Sequence, residues 1–483
     1  MTAISSDIQE GKHSPSASAT AAEVDQAAAW PVLLMIGASL LWLVLGSALG
    51  LLASVKMHGP HLLANVPAFT YGRLAFAQNT LFLYGFALQA GLALAVWLIS
   101  RLSRATLPNG VIVSAGAIIW NLGVLGALLL VLGGETTGLW RLEFPASAAM
   151  TLLLGFVIIA TVALLNLKAR TVQTLYPSLW FAQAGVFWFP WVFAGGTYLL
   201  LFGLLRGSAI PVIAAWYGQN LVGVVLSCFA LGAGYYFVPK LTERPLYSEG
   251  LAIFGFWTVI LFAPLGGFTN VSAVPRWLIS LSTVSQWMVS VGMLAHAYNF
   301  YQTWKSGASK STVFGLGFFK ASALLLALWS IMGAWATLPA NASVLMFTHF
   351  HTGLSQLLEY GFIGLTFLGS LTVAASLLMK EEWPSASLSK GHLILSIVGI
   401  SLMTLPLCAV GMTHGAALAD ATVPFVETLK RTFPMFAMTT LGLLVFCIAQ
   451  VLFLLHFVQL AVKSFVACCR PIEWITPEKG GSK

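Results

Sequence analysis

Charged side chains are scarce in this sequence. Asp, Glu, Lys and Arg make up 8% of its 483 residues, whereas 58% of the residues are hydrophobic. A soluble domain typically covers its surface with about 25–35% charged residues, and this chain has too few to do so. The composition therefore excludes an ordinary soluble enzyme and predicts an integral membrane protein.

Soluble insertions are also lacking. No Ser-, Gly- or Pro-rich linker separates the apolar runs, and no internal repeat is evident. A helix needs about 20 apolar residues to cross roughly 30 Å of hydrocarbon, and the chain has twelve such runs. We therefore expect an all-α integral membrane protein, a twelve-transmembrane-helix bundle. The predicted spans are 30–54, 76–99, 111–132, 146–167, 178–202, 210–238, 251–268, 277–300, 313–338, 347–379, 392–412 and 434–462.

The N-terminus lacks the basic-then-apolar pattern of a cleaved signal. We expect a disordered cytoplasmic tail over 1–29, one membrane domain over 30–463 and a cytoplasmic C-terminal tail over 464–483. With both termini on one side, 16 of the 23 Lys and Arg residues lie on that side and 7 on the other. The positive-inside rule then places the termini in the cytoplasm. It also accounts for the net charge of +8 without a nucleic-acid partner, so membrane lipid is the expected surrounding.

The five cysteines form no Cys-x-x-Cys-His motif. The chain therefore lacks the residues that attach a c-type haem covalently. Any c-type haem would have to come from a companion subunit.

Histidines are absent between His61 and His296 but occur as a pair in the segment FTHFHTG, at His349 and His351. Residues two apart on an α-helix point about 200° apart, so one helix could present an imidazole to each of two sites. Haem iron readily takes axial imidazole. The alternative is that both histidines are hydrogen-bonded near the membrane surface.

Polar character continues beyond this pair, at Gln356 and Glu359. Glu359 is expected roughly 12 to 15 Å deeper than the histidines, at about 1.5 Å per residue. An ionisable residue at that depth is a functional hypothesis, here a possible proton relay. A protonated Glu hydrogen-bonded within the bundle is the competing interpretation.

A longer stretch carries a family resemblance. The segment AWYGQNLVGVVLSCFALGAGYYFVPKLTERPLYSEGLAIFGFW (215–257) resembles the central region of subunit I of the C-type (cbb) haem-copper terminal oxidases. The segments TYGRLAFAQNTLFLYGF (70–86) and FTHFHTG are also similar to that family. The resemblance implies a bacterial inner-membrane protein with cofactor sites between its helices, and companion subunits that carry c-type haems.

The resemblance also implies roles for single residues. His349 corresponds to the axial ligand of the high-spin haem, and His351 corresponds to one ligand of the low-spin haem. The second ligand of that low-spin haem falls on Gln78, and an amide is a poor iron ligand. This chain therefore keeps two of the three haem-ligand positions.

The copper positions of the family are all substituted. The first falls on Gln219 in WYGQN, and the His-His pair falls on Thr269 and Asn270. The redox tyrosine of the family falls on Ala263. Carboxamides bind copper weakly, so we expect no copper and no reduction of oxygen at a haem-copper centre.

Three functions remain open at this point. The favoured one is a subunit of a respiratory electron-transfer complex that binds one or two b-type haems through His349 and His351. The second is a haem-free structural or assembly subunit on the same scaffold. The third is a proton- or solute-conducting protein that uses Glu359, Gln356 and Gln219.

Overall fold

Helices form every regular element of the part of the chain that the structure describes. A computed structural model describes residues 19–270, 274–305 and 314–468. We number twelve helices in chain order; a short helix, Pro339–Leu345, precedes the tenth. The twelve are α1 Ala21–His58, α2 Tyr71–Ser103, α3 Gly110–Gly133, α4 Ala146–Lys168, α5 Pro177–Leu201, α6 Ala209–Thr242, α7 Glu249–Phe262, α8 Arg276–Lys305, α9 Phe314–Ala336, α10 His349–Met379, α11 Ala386–Ala419 and α12 Phe425–Cys468.

The predicted twelve-helix membrane bundle is confirmed. Eleven of the described helices are long and apolar enough to cross a membrane. The exception, α7, is shorter and continues through a 3-10 turn to Leu265. At about 1.5 Å per residue, Glu249–Leu265 spans about 25 Å, close to the hydrocarbon thickness.

The expected tail over 1–29 is wrong for residues 21–29, which belong to α1. Thr20 and Glu23 form a capping box, in which each side chain accepts a hydrogen bond from the other residue's backbone N–H. Such a box satisfies N–H groups that would otherwise lack partners. Asp25 forms an ion pair with Arg101 of α2, which ties this helix start to the bundle. Residues 1–18 lie outside the described residues.

The C-terminal boundary also differs from the prediction. α12 continues to Cys468, so residues 464–468 are helical and do not belong to a tail. Residues 469–483 lie outside the described residues.

Three helices form the centre of the bundle. The most apolar stretch is 100% buried in α2, 94% in α6 and 78% in α10, against at most 56% in the other long apolar helices described. The helices that carry Gln78, Gln219 and the histidine pair are thus the inner ones.

These three inner helices share two backbone features. Each contains a π-helical segment: Leu81–Ala87 in α2, Asn220–Leu226 in α6 and Leu357–Gly364 in α10. Each is followed by a left-handed residue, at Arg104, Glu243 and Lys380 respectively. These two features therefore recur at every fourth helix, in α2, α6 and α10. π segments are rare and occur frequently at functional sites.

Candidate functional site

The histidine pair begins α10 and points two ways, as helix geometry predicts. Thr348 caps this helix, because its side-chain oxygen accepts a hydrogen bond from the Phe350 N–H at 3.3 Å. The His349 ring lies against the rings of His414 (centroids 6.3 Å apart) and Phe436 (5.0 Å). The His351 side chain lines two cavities in the bundle.

The smaller cavity, of about 110 Å³, is lined by two of the positions that the resemblance assigns to copper. Gln219 and Thr269 line it together with His351 and Arg141. The side chain of Asn270 lies outside the described set. The resemblance implies that His349 faces this site, but the member of the pair that lines the cavity is His351. Within the described residues, no group of three or more His, Cys, Asp or Glu side chains is placed to hold a metal ion.

The larger cavity, of about 350 Å³, lies between α2 and α10. Gln78, His351 and Glu359 line it together with Tyr360. The Gln78 amide donates a hydrogen bond to the Tyr360 hydroxyl. The Tyr360 ring is stacked on Phe82 of α2, with centroids 3.8 Å apart. Gln78 and His351 thus line the same cavity, as the resemblance implies. The side-chain amide of Gln78, however, is hydrogen-bonded to Tyr360.

Glu359 is bonded to Arg141, which no pattern in the sequence singles out. The Arg141 guanidinium donates to a Glu359 carboxylate oxygen at 2.5 Å and to the Gly218 carbonyl oxygen at 3.0 Å. The exposed fraction of the side chain is 13% for Arg141 and 5% for Glu359. This ion pair connects the 134–145 loop to α6 and α10. The structure therefore supplies a positive partner for the buried carboxylate.

Glu143, two residues further along the same loop, is fully buried. Its carboxylate accepts hydrogen bonds from the Asn79 amide at 2.5 Å, the Thr80 hydroxyl at 3.3 Å and the Arg141 backbone N–H at 2.7 Å. Burial raises the pKa of Glu143 to about 7, against the lowering effect of these bonds. The loop is thereby bonded to α2.

Two tyrosines complete this polar cluster. The Tyr84 hydroxyl donates to the Arg141 carbonyl oxygen at 2.7 Å, and it shares a hydrogen bond with the Tyr217 hydroxyl. We call the set Tyr84, Arg141, Glu143, Tyr217 and Glu359 the arginine cluster. It joins the three inner helices near Gln78, Gln219 and the histidine pair. In the sequence, the segment WRLEF resembles an ordinary surface loop. The only signal of a buried polar cluster there is that Arg141 and Glu143 carry opposite charges two residues apart.

Comparison with known proteins places this arrangement in a family. Residues 31–445 match the family described as Cytochrome C and Quinol oxidase polypeptide I. The chain belongs to this family. The suspected relationship to subunit I of the haem-copper oxidases is therefore confirmed.

Individual relatives are distant. The chain is 24% identical over 425 residues to the Cbb3-type cytochrome c oxidase subunit CcoN1 of Stutzerimonas stutzeri, covering 84% of this chain and 89% of that protein. It is 24% identical over 407 residues to cytochrome c oxidase subunit 1 of Rhodobacter capsulatus, covering 77% and 74% respectively. The structure of a heme-copper terminal oxidase dimer matches with a TM-score of 0.75 at 13% identity, over 90% of this chain and 84% of that one. At that identity, the structural match shows the fold alone.

The family implies haem, and neither cavity beside His351 fits it. Ligand cavities for drug-sized molecules run from about 300 to 1,000 Å³, so the cavity of about 110 Å³ is too small for a macrocycle. The cavity of about 350 Å³ is near the lower limit, and its Tyr360 wall is stacked on Phe82. An iron between Gln78 and His351 would also have to take a carboxamide as its second axial ligand.

Proposed function

We propose that this chain is a haem-free structural subunit of a respiratory membrane complex, built on the subunit I scaffold and unable to reduce oxygen. The arginine cluster carries this proposal. Its buried ion pair, Arg141 with Glu359, reaches α10, and Arg141 also donates to the Gly218 carbonyl oxygen of α6, next to Gln219. Polar networks of this kind favour one arrangement of the helices, and each residue of the cluster is bonded to another, although the Nε atom of Arg141 is buried without a partner among the residues that the structure describes.

The substitutions at the ligand positions support the same interpretation. Gln78 is bonded to Tyr360, and Gln219 shares a small cavity with Arg141. The Gln78 amide is thus a member of the hydrogen-bonded interior, and Gln219 lines a cavity. Neither amide could replace imidazole as a metal ligand. The geometry thus favours the haem-free hypothesis over the b-type haem hypothesis that the retained histidines favour in the sequence.

Glu359 has a fixed counter-charge in this arrangement. The Arg141 guanidinium donates to a Glu359 carboxylate oxygen at 2.5 Å and so anchors this side chain in the bundle. Proton relay is therefore not part of the proposal, and the ion pair instead gives Glu359 a structural role.

The partners and location follow from the family relationship. We propose a bacterial cytoplasmic membrane location, with both termini in the cytoplasm and companion subunits that carry c-type haems. The relatives above are cytochrome c oxidase subunits by name. Since this chain has no Cys-x-x-Cys-His motif, electron transfer in the complex would depend on those companions.

A haem assay of the purified protein tests the proposal. We expect a featureless reduced-minus-oxidised spectrum and a pyridine haemochrome assay without a b-type signal from folded, isolated chain. In the native complex, haem that stays attached under denaturing conditions should migrate with the companions and not with this chain. Stoichiometric b-type haem that is lost in the H351A variant would overturn the proposal.

A further inference from the structure

A groove lies between α8 and α9 on the outside of the bundle, and no residue of the arginine cluster lines it. Its volume is about 310 Å³. Two of the side chains that line it are open to the surroundings, since the exposed fraction is 69% for Leu324 and 47% for Tyr298. Small side chains, those of Ala297, Ala323 and Ala327, line it as well. Because both helices have the length and composition of membrane spans, this groove faces the acyl chains of the lipid.

Lys320 is the one charged side chain among the described residues that line this apolar groove. It lies six residues after Phe314, where α9 begins, which is about 9 Å along the helix at about 1.5 Å per residue. Its side chain is exposed and forms no ion pair with any residue that the structure describes. A lysine near a helix end extends its ammonium group toward the lipid headgroups. The partner that this charge lacks in the protein is therefore an anion at the edge of the bilayer.

A second ammonium group lies at the same end of the groove. Lys305 is the last residue of α8, and its Nζ atom lies over the ring of Tyr301 at 5.5 Å from the ring centroid. Tyr301 itself lines the groove. The chain has no Asp or Glu between Glu249 and Glu359, so neither α8 nor α9 carries an acidic residue. These two helices therefore supply positive charge beside the groove and no negative charge to balance it.

We propose that the groove between α8 and α9 binds an anionic phospholipid. Its phosphate group contacts Lys320 and Lys305, and one of its acyl chains lies along the groove. Basic pockets between membrane helices bind acidic lipid headgroups in this way. Tyr301 and Trp304 combine an apolar ring with a polar tip, which suits the level of the headgroups. Charge, aromatic side chains and an apolar groove thus follow one another in the order of the parts of a phospholipid.

The groove opens on the side of the bundle that carries the termini, because α8 is the eighth crossing. In the proposed orientation, the lipid therefore comes from the cytoplasmic leaflet, whose surface is negatively charged. The site does not depend on the proposed function, since no former ligand position lines the groove. A haem assay and a lipid-binding assay therefore give independent results.

The test compares phosphatidylglycerol with phosphatidylcholine, which can carry the same acyl chains and differ in headgroup charge. Full-length protein is delipidated in detergent and incubated with each lipid, and the retained lipid is counted by native mass spectrometry. We expect one phosphatidylglycerol per chain to be retained under conditions that remove phosphatidylcholine. Soluble glycerol 3-phosphate at the same concentration should not displace it, because the acyl chain in the groove contributes to binding.

K320Q should lower the affinity for phosphatidylglycerol about fivefold, which is roughly the effect of one lysine beside an anionic membrane surface. The matched control is K390Q. Lys390 is also exposed, lies four residues after the start of α11 on the same side of the bundle, and does not line the groove. Its replacement should leave the affinity unchanged.

A measurement on the unchanged protein avoids any effect of a substitution on folding. Phosphatidylglycerol with a photoreactive group in one acyl chain should label α8 and α9 within 294–304 and 320–327, and unlabelled phosphatidylglycerol should compete with it. Equal retention of the two lipids would overturn the proposal, as would equal affinities in K320Q and K390Q. Displacement by glycerol 3-phosphate, or labelling confined to other helices, would overturn it as well.

Discussion

At the scale of single residues, Arg141 links the 134–145 loop to the two inner helices α6 and α10. It has a left-handed backbone conformation, with φ of 71°, and its side chain reaches Gly218 and Glu359. A left-handed conformation is uncommon for residues other than glycine. The backbone is held in it by the Tyr84 hydroxyl and the Glu143 carboxylate. The 134–145 loop thus places the positive charge of Arg141 beside the buried carboxylate of Glu359.

Replacing Arg141 by Leu should destabilise the protein by about 3–5 kcal/mol, because Glu359 would remain buried without its counter-charge. Thermal or denaturant unfolding in detergent measures the loss. The matched control is R431L, which breaks the exposed pair with Glu427 and should change the stability by no more than about 0.5 kcal/mol.

The double variant R141M/E359L separates charge from packing. It should recover most of the loss, since both buried charges are removed together and hydrophobic replacements of buried ion pairs are often neutral. A double variant that is less stable than R141L would contradict the role of the ion pair.

Glu143 should make the stability depend on pH. Burial raises the pKa of Glu143 to about 7 from a reference value of 4.5, so between these values the folded protein keeps a proton that the unfolded chain has lost. The contribution is therefore fully present below about pH 4.5 and is lost as the pH rises through about 7, at up to about 1.4 kcal/mol per pH unit. Unfolding measured from pH 4.5 to 8 should show this decline.

Two variants isolate this effect. E143Q should flatten the decline, because the amide does not titrate. E135Q, at an exposed position of the same loop, should keep it. A decline of equal slope in E143Q would mean that another group is responsible.

At the scale of helices, the π segments of α2, α6 and α10 mark where the inner helices meet the site. A π segment leaves some carbonyl groups without the regular partner, and in α6 the Ser227 hydroxyl donates to the Val222 carbonyl oxygen at 2.9 Å. Such irregular turns are tolerated in a membrane only where they are buried in protein. The complete burial of all three segments satisfies that condition.

Helix packing can be tested at two glycines. G411A should destabilise the protein by about 1–3 kcal/mol, because its methyl group meets the backbone of Phe350 and must push α10 and α11 apart. G126A in α3 is the control, since a methyl group there meets nothing within 4 Å. It should be neutral or stabilising by up to about 1 kcal/mol, because alanine favours helix. Equal effects in thermal unfolding would contradict the close contact.

At the scale of the whole molecule, the three buried helices are surrounded by the other nine that the structure describes. The outer helices present apolar side chains toward the membrane, and the inner helices enclose the polar groups. An exposed polar network would be unfavourable in hydrocarbon. The arginine cluster therefore depends on the complete bundle and not on one helix pair.

Twelve crossings should place both termini on the cytoplasmic side. A fluorescent protein fused after residue 483 should fluoresce, and alkaline phosphatase at the same position should be inactive. Phosphatase fused after residue 422, between α11 and α12, should be active. The reverse pattern would contradict the orientation drawn from the 16 to 7 distribution of Lys and Arg.

The sequence by itself determined the membrane class, the helix count and the family. Hydrophobic run length is a local property, and the bilayer thickness converts it directly into spans. Helical periodicity also sufficed to predict that His349 and His351 point to opposite sides. The start of α1 was not predicted because Glu23, Asp25 and Gln26 interrupt its apolar pattern. The recurrence of π segments in α2, α6 and α10 lies in backbone geometry and not in matching residues.

Only the tertiary structure decided what the site contains. Arg141 and Glu359 are 218 residues apart, and His349 meets His414 from another helix. Such pairings depend on how helices rotate and approach one another, which no local pattern specifies. The physical reason is that burial creates the need for a charge partner, and burial is a property of the assembled bundle.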